Sequence, residues 1–259
     1  MKIGIISDVH EDITRLNEAL HIMRSSNIEE YVCLGDITGF GAPYYSYIKT
    51  RDANAVIKVL TNFDVVVGGN HDLYDVKRLP SNHCELNIPI NYYEMNRQTR
   101  KALVNGKMFA YETELDSLLT EESEKYLRKL DEYRIKKYDG TNVLYSHYAC
   151  PDITGTTTFK VNKYRDLRKH FEFMNDHNSL YSFSGHEHVE GLKIFTKDQV
   201  IRVPFNKKYK LKDKMAWVLI PALANGTNAN GFVIFDTTTK EIEAIPLETT
   251  PHQKFGAFK

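Results

Sequence analysis

The sequence predicts an α/β fold in which two β-sheets pack together and helices lie outside them. Three observations support this prediction. The first 70 residues alternate strand, helix, strand, helix and strand, which implies parallel pairing through right-handed crossovers. From residue 179 onward the chain is rich in short apolar segments, which favours mostly antiparallel strands. No repeat, low-complexity tract or Pro/Gly/Ser-rich linker divides the 259 residues, so we expect a single domain over residues 1–259.

The elements of the first half follow from their apolar positions. Residues 2–7 read KIGIIS, a nearly unbroken apolar run that is typical of a buried strand. Asp12 can cap a helix, because apolar residues then recur three or four positions apart from Ile13 to Met23. The other elements predicted here are a strand at 31–34, a helix near 51–60 and a strand at 64–67.

The second half begins with an irregular stretch. Between residues 73 and 110 the chain is polar and is broken by Pro80 and Pro89, so we expect an insertion or a lid there. The dipeptide Asp139-Gly140 separates two strand-like runs and predicts a hairpin. The elements expected around and after this hairpin are a helix near 121–130, strands at 133–138 and 141–146, a helix at 163–176, and strands at 179–184, 191–196, 199–205, 215–220, 231–236 and 241–247.

The composition excludes several classes of protein. The chain is 42% hydrophobic and 26% charged with a net charge of zero, which gives no general affinity for nucleic acid or anionic membranes. No apolar run approaches the roughly 18–20 residues of a membrane span. The N-terminal segment MKIGIISDVHED is too short and too acidic for a signal peptide. Cys33, Cys84 and Cys150 are too few and too widely spaced for a disulfide framework, so we expect a reduced, cytoplasmic protein.

Side chains that bind metals follow five of the predicted strands. Ligands of open α/β sheets lie beyond the carboxyl ends of the strands, so these side chains are expected at a common rim. Imidazole and carboxylate groups suit Mn, Fe, Co, Ni or Zn. In strand order the residues are Asp8 and His10, then Asp36, then Asn70, His71 and Asp72, then His147, and finally His186 and His188.

The spacing of these residues supports a metal centre. Asp8 and His10 are two residues apart, which on a strand or the turn leaving it places both on one side. Asp36 stands alone after a glycine and is well suited to bridge two ions. Each motif by itself has an ordinary structural explanation, and a single histidine such as His147 is more often a packing residue. Five strand ends that all carry ligand-type residues favour a metal centre over coincidence.

The motifs D-x-H, G-D, G-N-H-D, H and G-H-x-H, in this order from residue 8 to residue 188, resemble the signature of the calcineurin-like metallophosphoesterase superfamily. The resemblance implies a four-layer αββα sandwich of two mixed sheets flanked by helices. It also implies two divalent ions, with manganese preferred and iron, zinc, nickel or cobalt as alternatives. Carried over to this sequence, one ion would be held by Asp8, His10, Asp36 and His188, and the other by Asp36, Asn70, His147 and His186.

The resemblance further implies how the reaction proceeds. His71 would stabilise or protonate the leaving group, and Asp72 would orient His71. Two adjacent ions lower the pKa of a bridging water toward about 7, which supplies a hydroxide that attacks phosphorus. The expected function is the hydrolysis of a phosphodiester or phosphomonoester, with a small molecule or a nucleotide as substrate. Glu11 replaces a glycine that many members have, and we expect it to alter the loop more than the metal site.

Alternative functions within and beyond the superfamily are less well supported. The protein phosphatases carry arginines in G-D-x-V-D-R-G and R-G-N-H-E, and this chain lacks both arginines. The DNA-repair nucleases add a capping domain and a basic surface, for which this C-terminal region is short and this net charge is zero. A non-catalytic scaffold for protein binding would typically have lost ligands, whereas every ligand position is filled here. Residues 35–43, GDITGFGAP, are most similar to small single-domain bacterial phosphoesterases.

Several residues near the motifs have two interpretations at this stage. The rings of Phe40, Tyr44 and Tyr45 either stack on an aromatic group of the substrate or pack the loop. Three basic residues either contact substrate phosphate or are solvated charges on a helix, and the second interpretation is the simpler one. They are Arg97, Arg100 and Lys101. Histidines outside the motifs are expected at the surface or in packing; they are His21, His83, His170, His177 and His252.

Overall fold

The computed structural model describes residues 1–81 and 86–251. His83, Cys84 and His252 therefore lie outside the described residues. In chain order the strands are β1 (Lys2–Ile6), β2 (Glu30–Cys33), β3 (Phe40–Gly41), β4 (Val65–Val66), β5 (Glu114–Leu115), β6 (Tyr133–Tyr138), β7 (Thr141–Ser146), β8 (Ser179–Ser184), β9 (Leu192–Thr196), β10 (Val200–Val203), β11 (Tyr209–Lys210), β12 (Ala216–Leu219), β13 (Gly231–Asp236) and β14 (Glu241–Pro246). The helices are α1 (Ile13–Ser25), α2 (Ala53–Leu60), α3 (Asn70–Asp75), α4 (Arg97–Val104), α5 (Glu121–Arg128) and α6 (Arg168–Asp176).

The strands form two mixed six-stranded sheets and one small pair. The first sheet has the order β11-β14-β13-β1-β2-β4, and the second has the order β10-β9-β12-β8-β7-β6. Each sheet contains three parallel neighbours, β1-β2-β4 in the first and β12-β8-β7 in the second. The small pair joins β3 to β5, with Gly41 opposite Glu114.

Three apolar clusters place helices on both outer faces of the paired sheets. The central cluster combines buried side chains of both sheets, among them Ile5, Phe183 and Val218. A second cluster packs α1, α2 and α5 against the outer face of the first sheet. A third packs α6 against the outer face of the second sheet around Trp217. The predicted four-layer αββα sandwich is confirmed.

Most predicted elements are present within a few residues of their expected ends. Asp12 caps α1 by accepting a hydrogen bond from the backbone N–H of Arg15 at 3.1 Å. The hairpin of β6 and β7 pairs Tyr138 with Thr141 across the Asp-Gly turn. The later strands are mostly antiparallel, as expected. The exception is the parallel pair of β8 and β12, which the long connection between them permits.

The stretch 73–110 contains more regular structure than expected. It includes the end of α3, a short 3-10 turn at Tyr92–Glu94, and α4. Asn96 caps α4 by accepting a hydrogen bond from the backbone N–H of Thr99 at 2.9 Å. Four apolar residues around this turn and helix form a small cluster of their own: Ile88, Tyr92, Val104 and Met108. None of the described helices is long and apolar enough to cross a membrane.

Candidate metal centre

The predicted site residues lie at one rim because parallel strands end on the same side of a sheet. Loops after β1, β2 and β4 in the first sheet face loops after β7 and β8 in the second. Backbone hydrogen bonds connect the loops after β1 and β2, because the N–H groups of Val9 and His10 both donate to the carbonyl of Asp36, at 2.8 and 2.9 Å. The two sheets are joined here as well, since the N–H of His186 donates to both carboxylate oxygens of Asp8 at 3.1 Å.

Five of the predicted ligands have a backbone conformation that L-residues rarely adopt. Left-handed φ values cost free energy for residues with a side chain and are concentrated at functional sites. The rim loops therefore hold these side chains in place at the expense of local strain. The φ angles are 54° at Asp8, 45° at His10, 51° at Asp36, 66° at His186 and 45° at His188.

Two glycines allow the loops after β2 and β4 to approach each other. Gly35 has φ of +94°, and a Cβ atom there would lie 2.5 Å from the backbone nitrogen of Gly69. A Cβ atom on Gly69 would lie 2.2 Å from Oδ1 of Asp36. The N–H of His71, two residues further, donates to the same Oδ1 at 3.0 Å. The glycines thus permit the backbone of one loop to position the central carboxylate of the other.

The first group of converging ligand atoms comes from the two D-x-H and H-x-H motifs. Ligand atoms of Asp8, His10 and His188 all lie within 4.8 Å of one another. Oδ1 of Asp8 is 3.3 Å from Nε2 of His188. Nε2 of His10 is 3.9 Å from Oδ2 of Asp36, so the central carboxylate borders this group.

The second group surrounds Asp36 itself. Ligand atoms of Asp36, His147 and His186 lie within 4.8 Å of one another. Nε2 of His147 is 3.1 Å from Oδ2 of Asp36. Nδ1 of His186 is 3.0 Å from Oδ1 of Asn70 and 3.2 Å from Nε2 of His147. All seven predicted ligands therefore gather at one rim, in one group that contains Asp36 and a second group that borders it.

Two of the histidines are fixed by backbone carbonyls. Nδ1 of His10 lies 2.8 Å from the carbonyl of Gly39, and Nδ1 of His147 lies 2.8 Å from the carbonyl of Leu34. An Nδ1–H that donates to a carbonyl leaves Nε2 with a lone pair directed at the centre, as in metal-binding histidines generally. Nε2 of His10 is buried and has no hydrogen-bond partner among the described residues. An unpaired buried nitrogen of this kind, facing carboxylates and imidazoles, fits a divalent cation.

The charge of the centre fits cations as well. Burial disfavours an ionised Asp36, yet His147, His71 and His10 outweigh burial and hold the pKa of Asp36 well below its usual range. Burial and neighbouring imidazoles lower the pKa of His10 and of His186 to about 3. These two rings are neutral at pH 7 and offer lone pairs. Burial opposes a charged His147, but Asp36 and Asp8 raise its pKa to about 9.

The expected contact between Asp72 and His71 is wrong. The side chain of Asp72 accepts hydrogen bonds from the backbone N–H groups of Ile37, Thr38 and Gly69 at 2.8, 3.0 and 2.9 Å. Because Asp72 lies in the first turn of α3, its carboxylate folds back on the loops instead of reaching the neighbouring ring. Asp72 therefore organises the loops that carry Asp36 and Asn70.

Glu114 is the carboxylate that contacts His71. Nδ1 of His71 forms an ion pair with Oε1 of Glu114, while Nε2 faces Oδ2 of Asp36 at 3.8 Å. Burial opposes a charged imidazole here, but Asp36 and Glu114 raise the pKa of His71 to about 10. The pairing of β3 with β5 brings Glu114 to this position. Two strands of two residues each carry no periodic pattern, so the sequence gives no signal for this contact.

Glu11 has the kind of role that was expected for it. Its carboxylate is buried and contacts Nη1 of Arg51 at 3.0 Å and the hydroxyl of Ser117 at 2.7 Å. None of these partners is a predicted ligand. Glu11 therefore connects the loop after β1 to α2 and to the segment after β5, and it does so away from the metal centre.

A cavity of about 450 Å³ opens onto the metal centre. Tyr44 and Tyr45 line it together with His10, His71 and Asn70, whereas Phe40 does not. The ring of Phe40 packs on Tyr45 and Tyr47 with centroids 5.6 and 5.1 Å apart. The structure thus assigns Phe40 to packing and leaves the two tyrosines beside the site. His170 and Cys33 are fully buried packing residues, and His21 is exposed.

Tyr111 is a further site residue that the sequence did not indicate. Its hydroxyl accepts a hydrogen bond from Nδ2 of Asn70 at 3.0 Å, which turns Oδ1 of Asn70 toward His186. The ring of Tyr111 meets His71 edge to face with centroids 5.1 Å apart. Tyr111 thus contacts one predicted ligand and the predicted acid.

Comparison with known protein families identifies the fold and the family. The sequence model described as calcineurin-like phosphoesterase matches residues 1–190. The uncharacterized protein MJ0912 of Methanocaldococcus jannaschii is 38% identical over 72 residues, which make up 27% of this chain and 29% of that protein. The match thus spans less than a third of that relative's length.

Two solved structures share the architecture. A metallophosphoesterase from Sphaerobacter thermophilus superposes with a TM-score of 0.65 and 18% identity over 96% of this chain and 89% of that one. The hypothetical protein PH1004 from Pyrococcus horikoshii OT3 gives a TM-score of 0.57 and 16% identity over 96% of this chain and 88% of that one. At these identities the likeness concerns the fold.

Proposed function

Because this chain belongs to the calcineurin-like phosphoesterase family, we propose that it is a metal-dependent hydrolase that cleaves small phosphodiesters. The observation that carries the proposal is the convergence of Asp8, His10, Asp36, Asn70, His147, His186 and His188 at one rim, in one group that contains Asp36 and a second group that borders it. Carboxylate, amide and imidazole donors form a set that suits two first-row divalent ions, and manganese is the ion that the family resemblance favours.

The lining of the cavity favours a diester over a monoester. Among the described residues, no lysine or arginine lines the cavity at the metal centre, whereas Glu112 and Glu114 do. A phosphomonoester carries up to two negative charges at neutral pH, and a diester carries one. A site whose positive charge would come only from its metal ions and from His71 therefore favours the singly charged ester.

The ligand set divides into two sites with one member in common. Asp36 would serve both ions. One ion would also be held by Asp8, His10 and His188, and the other by Asn70, His147 and His186. When bound, the two ions would lower the pKa of a water molecule between them and neutralise phosphate oxygens. The carbonyls of Gly39 and Leu34 hold Nδ1 of His10 and of His147, which would leave Nε2 of each ring free to bind an ion.

His71 supplies the proton for the leaving group. Its Nε2 faces Asp36 at 3.8 Å, at the edge of the metal centre, and its Nδ1 is held by Glu114. A protonated imidazole with Nδ1 occupied by a carboxylate presents Nε2–H to an oxygen leaving the phosphorus. Glu114 fixes the orientation of the ring and favours its charged form, as a carboxylate does for a catalytic histidine elsewhere.

The test combines metal analysis with two chromogenic esters. The purified chain is stripped with a chelator, reloaded with manganese, and assayed on bis-p-nitrophenyl phosphate and on p-nitrophenyl phosphate. We expect turnover only after reloading and a higher kcat/KM for the diester. Full activity after exhaustive chelation would refute metal dependence, and a higher kcat/KM for the monoester would refute the diester preference.

A further inference from the structure

A second cavity, of about 290 Å³, adjoins the one at the metal centre. Its walls come from the stretch between α3 and β5, and Phe109, Ala110, Tyr111 and Glu112 line both cavities. The two cavities therefore share one wall, and a ligand that reaches around this wall would contact both of them. We call the second cavity the tyrosine cleft, after Tyr74, Tyr92, Tyr93 and Tyr111 in its walls.

The tyrosines form an aromatic wall of the cleft, beside which a planar group can pack. Tyr111 stacks on Tyr74 with centroids 4.3 Å apart and an interplanar angle of 30°. Tyr93 meets Tyr92 at 5.2 Å and Tyr74 at 6.2 Å, in both cases edge to face. Aromatic rings bind nucleobases by stacking in single-strand binding proteins.

One face of α4 adds positive charge to the cleft. Arg97, Arg100 and Lys101 follow the spacing that places side chains on one side of a helix. Glu112 forms ion pairs with both Arg97 and Lys101. Together with Arg100, the cleft therefore has three positive charges and one negative charge, a net charge of +2. No lysine or arginine of the described part of the chain lines the metal-centre cavity, which distinguishes the chemistry of the two cavities.

Arg100 has one buried polar atom, its Nε, that the described residues leave without a hydrogen-bond partner. The guanidinium carbon lies 5.8 and 6.0 Å from the ring centroids of Tyr92 and Tyr93. A buried donor that is left unpaired destabilises the site. An anionic acceptor placed between α4 and these rings removes that destabilisation.

Tyr111 shows on which side of the reacting phosphate the cleft lies. Its ring is edge to face with His71, and its hydroxyl is bonded to Asn70. His71 is the group that protonates the leaving oxygen in the proposed function. The substituent that extends past Tyr111 is therefore the leaving group.

We propose that the tyrosine cleft binds a nucleotide leaving group, with the base on the tyrosines and the nucleotide's own phosphate at Arg97, Arg100 and Lys101. This inference rests on the proposed phosphodiesterase function and assigns its substrate class. The dinucleotide pTpT, which carries a 5′-phosphate, illustrates the reaction. One water adds across the P–O3′ bond, its oxygen is bonded to phosphorus, and the 3′-oxygen takes a proton from His71. The products are two thymidine 5′-phosphates.

A binding experiment without metal tests the cleft separately from catalysis. Titration calorimetry on chelator-treated protein compares thymidine 5′-phosphate, thymidine and inorganic phosphate. We expect thymidine 5′-phosphate to bind about tenfold more tightly than either fragment, because it alone uses both rings and cations. Arg100→Gln should weaken its binding about tenfold, and Arg128→Gln, at an exposed position on α5, should leave it unchanged. Equal affinity for thymidine 5′-phosphate and inorganic phosphate would overturn the nucleotide assignment.

A kinetic comparison then uses pTpT and TpT, which differ only in the 5′-phosphate. In the manganese-loaded enzyme we expect kcat/KM to be about tenfold higher for pTpT, and Arg100→Gln to reduce this ratio toward one. A ratio of one in the wild type, with bis-p-nitrophenyl phosphate still hydrolysed, overturns the cleft proposal alone. Loss of all three activities in the loaded wild type overturns the proposed function, and the cleft proposal with it.

Discussion

Replacing Glu114 by glutamine should slow the release of poor leaving groups far more than that of good ones. The carboxylate of Glu114 is in ion-pair contact with Nδ1 of His71, and its side chain is only 8% exposed. The substituted glutamine would keep the shape of the side chain and remove its charge. His71 would then lose both its preferred orientation and much of the stabilisation of its protonated form.

The magnitude follows from the contact. Unit charges about 4 Å apart attract by roughly 4 kcal/mol at an effective dielectric constant of about 20. If most of this attraction is lost in the transition state, the rate falls by about 10² to 10³, since each 1.36 kcal/mol is tenfold. General acids contribute about 10² to 10⁴ in total, so this loss remains within what His71 can supply.

The assay compares two diesters in the same preparation. For TpT, whose leaving alkoxide needs a proton, we expect Glu114→Gln to reduce kcat about 10² to 10³-fold. For bis-p-nitrophenyl phosphate, whose phenolate departs without a proton, we expect a loss of less than about tenfold. Glu121→Gln, at an exposed site on α5, serves as the matched control and should change neither rate. Equal losses on both esters would show that Glu114 acts on the fold or on the metal ligands and would refute the assigned role.

The remaining predictions concern the loops and the core. His71→Ala should keep its metal and lose about 10² to 10⁴ in kcat on TpT, which metal analysis and kinetics together measure. Asp72→Asn should lower the free energy of unfolding by about 1–3 kcal/mol in urea titrations, because an amide cannot accept all of the backbone hydrogen bonds that the carboxylate accepts. A loss of activity that depends on the leaving group would contradict this structural role. Gly69→Ala should reduce bound metal, since its Cβ would lie 2.2 Å from Oδ1 of Asp36, whereas Gly140→Ala, with no neighbour within 4 Å, should not. Burial lowers the pKa of His170 from 6.5 to about 3, so as the pH falls the unfolded chain binds a proton first and the folded state loses stability below pH 6.5. Between pH 7 and pH 5 the free energy of unfolding should fall by about 2 kcal/mol more in wild type than in His170→Gln. Equal decreases in the two proteins would contradict this prediction.

The position of the metal centre was predictable because it depends on the order of strands. Asp8, Asp36 and His147 each follow an apolar run, and the carboxyl ends of parallel strands share a rim. The resemblance of the motifs then supplied the four-layer sandwich. Neither inference requires knowledge of a contact between distant side chains.

What escaped prediction depends on such contacts. Glu114 reaches His71 through β3 and β5, which are too short to show a periodic pattern. The family resemblance implied that Asp72 orients His71, but in the first turn of α3 the carboxylate of Asp72 accepts backbone hydrogen bonds instead. The charges of Arg97, Arg100 and Lys101 suggested a helix, but the bounds of α4 were not predicted, although Asn96 before it is a recognisable cap.

The number of metal ions bound per chain tests the central claim most directly. Stripped protein is loaded with manganese, freed of excess ion by gel filtration, and analysed by mass spectrometry of the elements. We predict two ions per chain for wild type, one for Asn70→Ala, and fewer than one for Asp36→Ala, with circular dichroism confirming that each variant is folded. A wild-type chain that retains less than one ion, or an Asp36→Ala chain that retains two, would contradict a centre in which two groups of ligands share Asp36.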